Sequence, residues 1–324
     1  MLVIGIESTA HTFGVGIVSG GRILANEKAM YDVGKKGMIP AKVAEFHVKN
    51  AGEVLARAVE SAGIRLSDVR GVGYAMGPGL GPCLQVGQLA AKTLAARLGA
   101  KIAPVNHAVA HVEMTRIAAG LRDPLALYVS GGNSQILKLA DNPYRHYRVL
   151  GETFDIGVGN MLDSFARSAG LKPAWGSTVA KLAEGGSYVE LPYTVKGMDF
   201  AFTGLLTRAA ELARSERVED VCYSLQETAF AMLCEATERA LLLTGSRELC
   251  VCGGVAQSKR LKEMLARVCG EHGTRFGCAS NELNADNGTM IAVVAERILS
   301  KGGGAKPSEC GIRQRYRIDS AVVR

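Results

Sequence analysis

The sequence predicts an α/β protein of two lobes, and three observations carry that prediction. Apolar strands alternate with amphipathic helices along most of the chain. Two strand pairs close through tight turns of small polar residues, one near the start and one near residue 130. A length of 324 residues suits two domains of roughly 150 each. With 48% hydrophobic and 21% charged residues, a sizeable core is available and disorder is excluded.

The first lobe opens on a meander: strands at 2–7, 13–18 and 22–30, with Ser19-Gly20-Gly21 as a hairpin turn. Residues 40–62 carry helical spacing, with Val43, Phe46, Ala51, Val54, Leu55 and Ala58 on one side. A short strand at 69–74 runs into a Gly/Pro loop at 77–82. A helix at 84–98, a strand at 101–105 and a helix at 106–119 follow. The second hairpin pairs 125–130 with 134–139 around Gly131-Gly132-Asn133. Beyond it, helices at 156–169, 203–214, 219–243, 257–271 and 285–300 accompany a strand at 248–252. The expected partition is an N-terminal lobe over 1–120 and a C-terminal lobe over 121–300, whose last helix can pack back on the first. A basic tail over 301–324 follows the Gly302-Gly303-Gly304 run.

Thirty-eight Lys and Arg against 31 acids give a net charge of +7. The tail holds six basic residues (Lys301, Lys306, Arg313, Arg315, Arg317, Arg324) against Glu309 and Asp319, and so supplies +4 of it. A basic surface favours a polyanion such as RNA, and a solvated tail is the plainer reading. The longest uncharged stretch, between Arg70 and Lys92, is broken by Gly77, Pro78, Gly79, Gly81 and Pro82. A spanning helix needs about 20 apolar residues without such breakers. The acid at Glu7 comes too early for a signal-peptide apolar region. The chain reads as soluble and cytoplasmic, with no membrane partner. Its eight cysteines include no CxxC pair and read as reduced core thiols.

Three sets of residues could carry chemistry. On a helix, His107 and His111 stand at i and i+4, where both imidazoles can reach one metal ion. Ala108 occupies the place where a zinc protease of the HExxH type needs its Glu, and two histidines alone are too few for a site. Core or surface work is the competing reading of the pair. Turns at 7–12, 130–133 and 253–255 expose backbone N–H groups that can hold phosphate oxygens, although each alone is more often only a tight turn. No GxxxxGK[ST] loop is present, which excludes a Walker-type NTPase. Asp163 lies on a helix after a glycine turn. Asp286 stands at the start of an apolar helix, where an N-cap is the ordinary reading and a hard-oxygen metal ligand the other.

Together these segments resemble one family: the universal tRNA threonylcarbamoyladenosine synthase catalytic subunit in its archaeal and eukaryotic form, a member of the KEOPS complex. The matches run in order from Gly5-Ile6-Glu7-Ser8-Thr9-Ala10-His11-Thr12 and Gly77-Pro78-Gly79-Leu80-Gly81-Pro82, through 106–113 and Tyr128-Val129-Ser130-Gly131-Gly132-Asn133, to 151–167. They continue through Leu191-Pro192-Tyr193, 223–233 and Gly253-Gly254-Val255-Ala256 to Asp286-Asn287-Gly288-Thr289-Met290-Ile291-Ala292. The resemblance implies the actin/Hsp70/sugar-kinase (ASKHA) fold, with a nucleotide cleft between two ribonuclease-H-like lobes. It implies that His107, His111, Tyr128 and Asp286 hold one divalent ion, Fe(2+) with Zn(2+) as the alternative. It also implies that Tyr128, Val129, Ser130, Gly131, Gly132, Asp163 and Gly176 bind the adenylate of threonylcarbamoyl-AMP.

The implied reaction moves the threonylcarbamoyl group to the exocyclic amine of the adenosine 3′ of the anticodon in tRNAs reading ANN codons. The implied partners are tRNA and KEOPS subunits, among them a separate small kinase and a small dimerising subunit. The sequence itself has no HRD, and Asp199-Phe200-Ala201 is not DFG. Three segments depart from the family pattern. The Phe-Pro-Gly-Gly-like loop reads Pro173-Ala174-Trp175-Gly176, Ala180 replaces an acid suited to ribose hydroxyls, and Gln257-Ser258-Lys259 replaces a pair of Asn. Ser258 keeps a hydroxyl for the substrate; Ala180 has no acceptor, and one hydrogen bond lost to a buried hydroxyl costs roughly 1–3 kcal/mol. Competing readings are a divergent non-catalytic subunit of the complex, an ATPase on the same fold, and a metalloprotease suggested only by HxxxH.

Overall fold

The computed structural model describes residues 1–32, 38–142 and 144–323; Arg324 of the expected tail lies outside the described residues. The chain divides into two compact units. One comprises Met1–Met114, Ala140–Tyr147 and Ala285–Arg324, the other Thr115–Leu139 and Arg148–Asn284.

In the first unit, β1 (Leu2–Glu7), β2 (Thr12–Ser19) and β3 (Arg22–Met30) form the predicted antiparallel meander. β4 (Gly71–Gly77) and β5 (Lys101–Asn106) extend it in parallel, in the order β3-β2-β1-β4-β5. α1 (Pro40–Ala62) starts on Pro40, whose missing N–H costs nothing at a helix start, and stops at Gly63 in the left-handed region. α2 (Gly81–Leu98) has Pro82 in its first turn and ends at Gly99 in the same way. α3 (His107–Ala118) follows β5 without a loop.

The second unit repeats the plan. β6 (Leu125–Val129), β7 (Ser134–Ala140) and β8 (His146–Glu152) are followed by α4 (Val158–Ser168), α5 (Gly176–Ala183) and a two-residue ladder of β9 (Val195–Lys196) with β10 (Asp199–Phe200). Next come α6 (Thr203–Leu212), α7 (Val218–Thr244), β11 (Glu248–Cys252), α8 (Lys259–Glu271), β12 (Arg275–Cys278) and α9 (Asn281–Asn284). The sheet order β8-β7-β6-β11-β12 matches β3-β2-β1-β4-β5 strand for strand, and β6, β11 and β12 run parallel. Its core is built from β6, β11, α4, α7 and α8 around Phe165, Phe200, Phe202 and Phe230.

The units are bounded at 114/115 and 284/285 rather than at the expected 120 and 300, and the last helix lies with the first unit, as the sequence reading allows. α10 (Gly288–Ser300) packs across β1, β2 and β4 of the first sheet. The contact is backbone on backbone: a Cβ on Gly16 would lie 2.2 Å from the Thr289 nitrogen, and one on Gly5 2.2 Å from the Ala292 nitrogen. Only glycine allows that approach. The described part of the tail is anchored as well. Cys310, Ile318, Ala321 and Val323 are buried, and Ala305 bridges to Ile102 on β5. Sequence reading also missed α5, β8 and β12. β12 is only four residues, Arg-Phe-Gly-Cys, with no alternation to mark it.

Candidate active site

Parallel strands of an open α/β sheet deliver their ligand-binding residues at their C-terminal ends. Here β1 ends on Glu7 and β5 on Asn106. The Asn106 side-chain oxygen accepts the Val109 N–H at 3.0 Å, capping α3 so that the helix begins on His107. One turn later His111 stands above it, the two rings edge to face with centroids 4.6 Å apart. Both histidines are buried.

Asp286 reaches the same point from the other side. The expected N-cap role falls instead to Asn287, whose side-chain oxygen accepts the Met290 N–H at 3.0 Å. With its neighbour capping α10, the Asp286 carboxylate faces the imidazoles: Oδ1 lies 3.2 Å from His111 Nε2 and 3.7 Å from His107 Nε2. The three ligand atoms fall within 4.8 Å of one another.

Behind His107 stands a residue that sequence reading placed only in a phosphate-type turn. Glu7 is fully buried, and its Oε2 lies 2.9 Å from His107 Nδ1. Its Oε1 accepts the Thr9 N–H at 2.7 Å and the Thr9 hydroxyl at 2.5 Å. A carboxylate can only accept, so His107 Nδ1 donates and Nε2 is the atom turned toward Asp286. Carboxylate–imidazole pairs of this kind orient metal-bound histidines. An acid closing an otherwise apolar strand was the one signal available in the sequence.

The charges follow from this packing. Burial alone lowers the His107 pKa, but the Glu7 and Asp286 carboxylates outweigh it and hold the ring up at about 9. Burial pushes His111 down, and the positive His107 beside it acts in the same direction. Burial would raise Asp286, yet the hydrogen bond from His111 and the charge on His107 keep its carboxyl well below the usual range. Two buried imidazoles and one half-buried carboxylate, converging on one point, fit a borderline divalent ion such as iron or zinc. Such an ion would displace a proton from His107 Nε2.

A buried network steadies both sides of this group. Glu113, two residues after His111, takes hydrogen bonds from Tyr147 and from Arg297 of α10.

The other predicted residues belong to the second unit. Tyr128 and Val129 end β6, both buried, with Tyr128 in register with Cys252 and Gln135. Ser130 turns the chain: its Oγ accepts the Asn133 N–H at 3.0 Å. Gly131 and Gly132 follow, and the start of α4 packs onto them, with the Asn160 N–H on the Gly131 carbonyl at 3.1 Å. Further along α4, Asp163 Oδ1 accepts the Gly176 N–H at 2.7 Å and so caps α5. α4 therefore ties the 130–133 turn, Asp163 and Gly176 into one local arrangement. Ser258 caps α8, its Oγ accepting the Leu261 N–H at 3.3 Å. His107, His111 and Asp286 are thus brought together within the first unit, and Tyr128 stands in the second.

Fold and site define a class: a two-lobe α/β protein of the actin/Hsp70/sugar-kinase type with a His-His-Asp group at the end of its first sheet. Solved structures share the fold. HypF in its phosphate- and nucleotide-bound form aligns with a TM-score of 0.65 at 13% identity, over 94% of this chain and 47% of its own. ROK hexokinase from Thermus thermophilus aligns at 0.52 and 17%, over 93% of this chain and 100% of its own. The chain belongs to the TsaD family, described as tRNA N6-adenosine threonylcarbamoyltransferase, whose profile matches residues 22–293. Relatives bearing that description are 46% identical in Aeropyrum pernix and 48% identical in Methanopyrus kandleri. Both alignments cover 100% of this chain, and 94% and 96% of the relative. In Thermococcus kodakarensis the identity is 44%, over 100% of this chain and 99% of the relative.

Proposed function

We propose that this protein transfers a threonylcarbamoyl group from threonylcarbamoyl-AMP to the exocyclic amine of the adenosine 3′ of the anticodon in tRNAs reading ANN codons, releasing AMP. Membership of the TsaD family over 22–293, with relatives of that description matching the full chain, carries the reading. The amine is a weak nucleophile because its lone pair is delocalised into the purine, whereas AMP leaves readily. The N–C bond forms as the acyl–phosphate C–O bond breaks, AMP takes the electron pair, and the proton lost from the amine passes to solvent. The chain's work is therefore to hold the two reactants in line and to favour charge on the carbonyl oxygen.

His107, His111 and Asp286, with Tyr128 as the fourth ligand, would hold Fe(2+), with Zn(2+) as the alternative. When bound, such an ion supplies Lewis-acid polarisation of the carbonyl. Glu7 keeps His107 Nε2 aimed at that position. The adenylate falls to Tyr128, Val129, Ser130, Gly131 and Gly132, with Asp163, Gly176 and Ser258. The Ser130 and Asn133 amides and those at the start of α4 are used within the protein, so a phosphate at this turn would meet the Gly131 and Gly132 amides. The protein acts in the cytoplasm with KEOPS subunits, including a small kinase and a small dimerising subunit.

The test supplies metal-loaded protein with preformed threonylcarbamoyl-AMP and unmodified tRNA, with and without those partners. Modified adenosine is counted by mass spectrometry of the digested tRNA. Product that disappears in His107→Ala is the expected result. Absence of product even with partners and bound metal overturns the reading.

A further inference from the structure

The basic C-terminal segment is part of the first unit, and its placement is specific. The Arg313 N–H donates to the Met76 carbonyl at 2.8 Å, and the Gly79 N–H donates to the Gln314 carbonyl at 3.2 Å. The Tyr74 hydroxyl donates to the Gly311 carbonyl at 2.7 Å, and the Asn106 side chain to the Tyr316 carbonyl at 3.2 Å. Residues 311–316 thus form a strap across the C-terminal ends of β4 and β5. Gly77 has φ +145°, and a Cβ there would lie 1.9 Å from the Arg313 carbonyl oxygen, so the sequence reserves room for the strap. Asn106, which anchors Tyr316, directly precedes His107. β1, ending on Glu7, is the next strand beyond β4. At about 4.8 Å per strand, the strap lies within roughly 10 Å of the end of β1.

The charges on this strap are not consumed internally. Arg317 is held by Asp319, with Nη2 3.0 Å from Oδ2, and Glu309 takes the Lys306 N–H at 3.1 Å. The segment's two acids are therefore engaged. Arg313 and Arg315 are exposed, and Arg315 makes no ion pair among the described residues. The Arg313 guanidinium lies over the Tyr316 ring, 5.0 Å from its centroid, a contact that favours its staying on this face. A planar, held guanidinium suits a phosphate better than a mobile ammonium does.

We infer that Arg313 and Arg315 contact backbone phosphates of the RNA substrate beside the adenosine that is modified. The inference rests on the acyltransfer reading and adds the place where the polynucleotide meets the first unit. It also explains why the tail is pinned at the site end of the sheet, whereas a charge serving only solubility needs no anchor.

The test uses the full chain assembled with its partners. tRNA transcript is titrated across a salt series into wild type, Arg313→Gln, Arg315→Gln and the double variant. Each phosphate contact on a single strand contributes about 0.7 to the slope of log K against log salt, so the double variant should lose about 1.4 and bind roughly tenfold more weakly at moderate salt. Thermal midpoint, metal content and affinity for threonylcarbamoyl-AMP should stay at wild-type values. A matched control removes two charges elsewhere, Lys101→Gln with Lys301→Gln. Lys101 begins β5, and Lys301 follows the end of α10, about 20 Å of helix from its start. An equal loss in that control would reduce the effect to bulk charge and overturn the inference. So would an unchanged slope in the double variant, or a loss of partner binding with tRNA affinity intact. Wild-type assembly that binds no tRNA at all would overturn the acyltransfer reading itself, and with it this one.

Discussion

Replacing Glu7 by Gln keeps the shape of the side chain and reverses one hydrogen bond. Oε1 of Glu7 accepts both the Thr9 N–H and the Thr9 hydroxyl, while Oε2 faces His107 Nδ1 at 2.9 Å. A glutamine that leaves its carbonyl on Thr9 points its NH₂ at Nδ1, which must then accept. The proton moves to Nε2, the atom that would ligate a metal. A flipped glutamine restores His107 but presents NH₂ to the buried Thr9 N–H, at a cost of about 1–3 kcal/mol for the unmet donor. Either way the ring is worse poised. Loss of such a partner typically lowers metal affinity 10–100-fold, or about 1.4–2.8 kcal/mol. The assay titrates chelator-stripped protein with Zn(2+) or Co(2+) against a chromophoric competitor, and circular dichroism confirms the fold. Glu7→Asp keeps the acceptor but withdraws it by about one C–C bond, near 1.5 Å, and should fall between the two. The reasoning fails if Glu7→Gln binds metal as tightly as wild type while His107→Ala does not bind.

Three further outcomes are expected. Asn287→Ala removes the α10 cap and should cost about 1–2 kcal/mol in denaturant unfolding, with Asn287→Asp recovering most of it; an unchanged midpoint in the alanine variant would refute the cap assignment. Asp155 accepts N–H groups from Ile156, Phe202 and Thr203; burial would raise its pKa, but these donors pull it to about 2. The folded value lies below the unfolded one of about 3.9, so its stabilisation is complete above that pH and lost as pH falls toward 2. The stability gap between wild type and Asp155→Ala should narrow between about pH 4 and 2, the interval between the unfolded and folded values, and a constant gap there would contradict this. Finally, burial raises the thiols of Cys222 and Cys234 to about 12, and Cys278 alone of the eight is partly exposed. A thiol reagent should therefore react slowly with native protein and fully in denaturant. A rapid phase of several thiols in the native state would show the assignment of core cysteines to be wrong.

What the sequence disclosed and what it hid divide along one physical line. Local periodicity is written in the chain, so the meander of β1 to β3, the long helices and the i,i+4 pair of His107 and His111 were all legible. Relations across long separations were not. Glu7 and His107 are 100 residues apart, and only parallel pairing of the intervening strands brings their neighbourhoods together. The repeated sheet order has no matching sequence repeat, because a core asks for apolar residues at a period rather than for particular ones. Asp286 and Asn287 are interchangeable as caps on chemical grounds, so the sequence could not say which of two adjacent residues capped α10 and which was released. The tail was read from its charges. Its anchors, Cys310, Ile318, Ala321 and Val323, are irregularly spaced and follow no helical or strand period.

The placement of Glu7 and Asp286 has a common origin in the contact between α10 and the first sheet. Glu7 lies two residues beyond Gly5, and Asp286 two residues before Gly288. Gly5 and Gly16 each hold a α10 nitrogen where a Cβ would stand 2.2 Å away, and a Cβ on Gly288 would lie 2.1 Å from the Gly16 nitrogen. With no side chains in between, there are no rotamers to vary and the spacing between helix and sheet is set by backbone atoms. The two carboxylates that bracket His107 therefore inherit a fixed separation. Arg297, further along α10, reaches back to Glu113 on α3 and holds the histidine-bearing helix to the same frame. A group that must present three ligand atoms to one point benefits more from this rigidity than from any single hydrogen bond, because an error in helix position would move Asp286 away from both imidazoles at once.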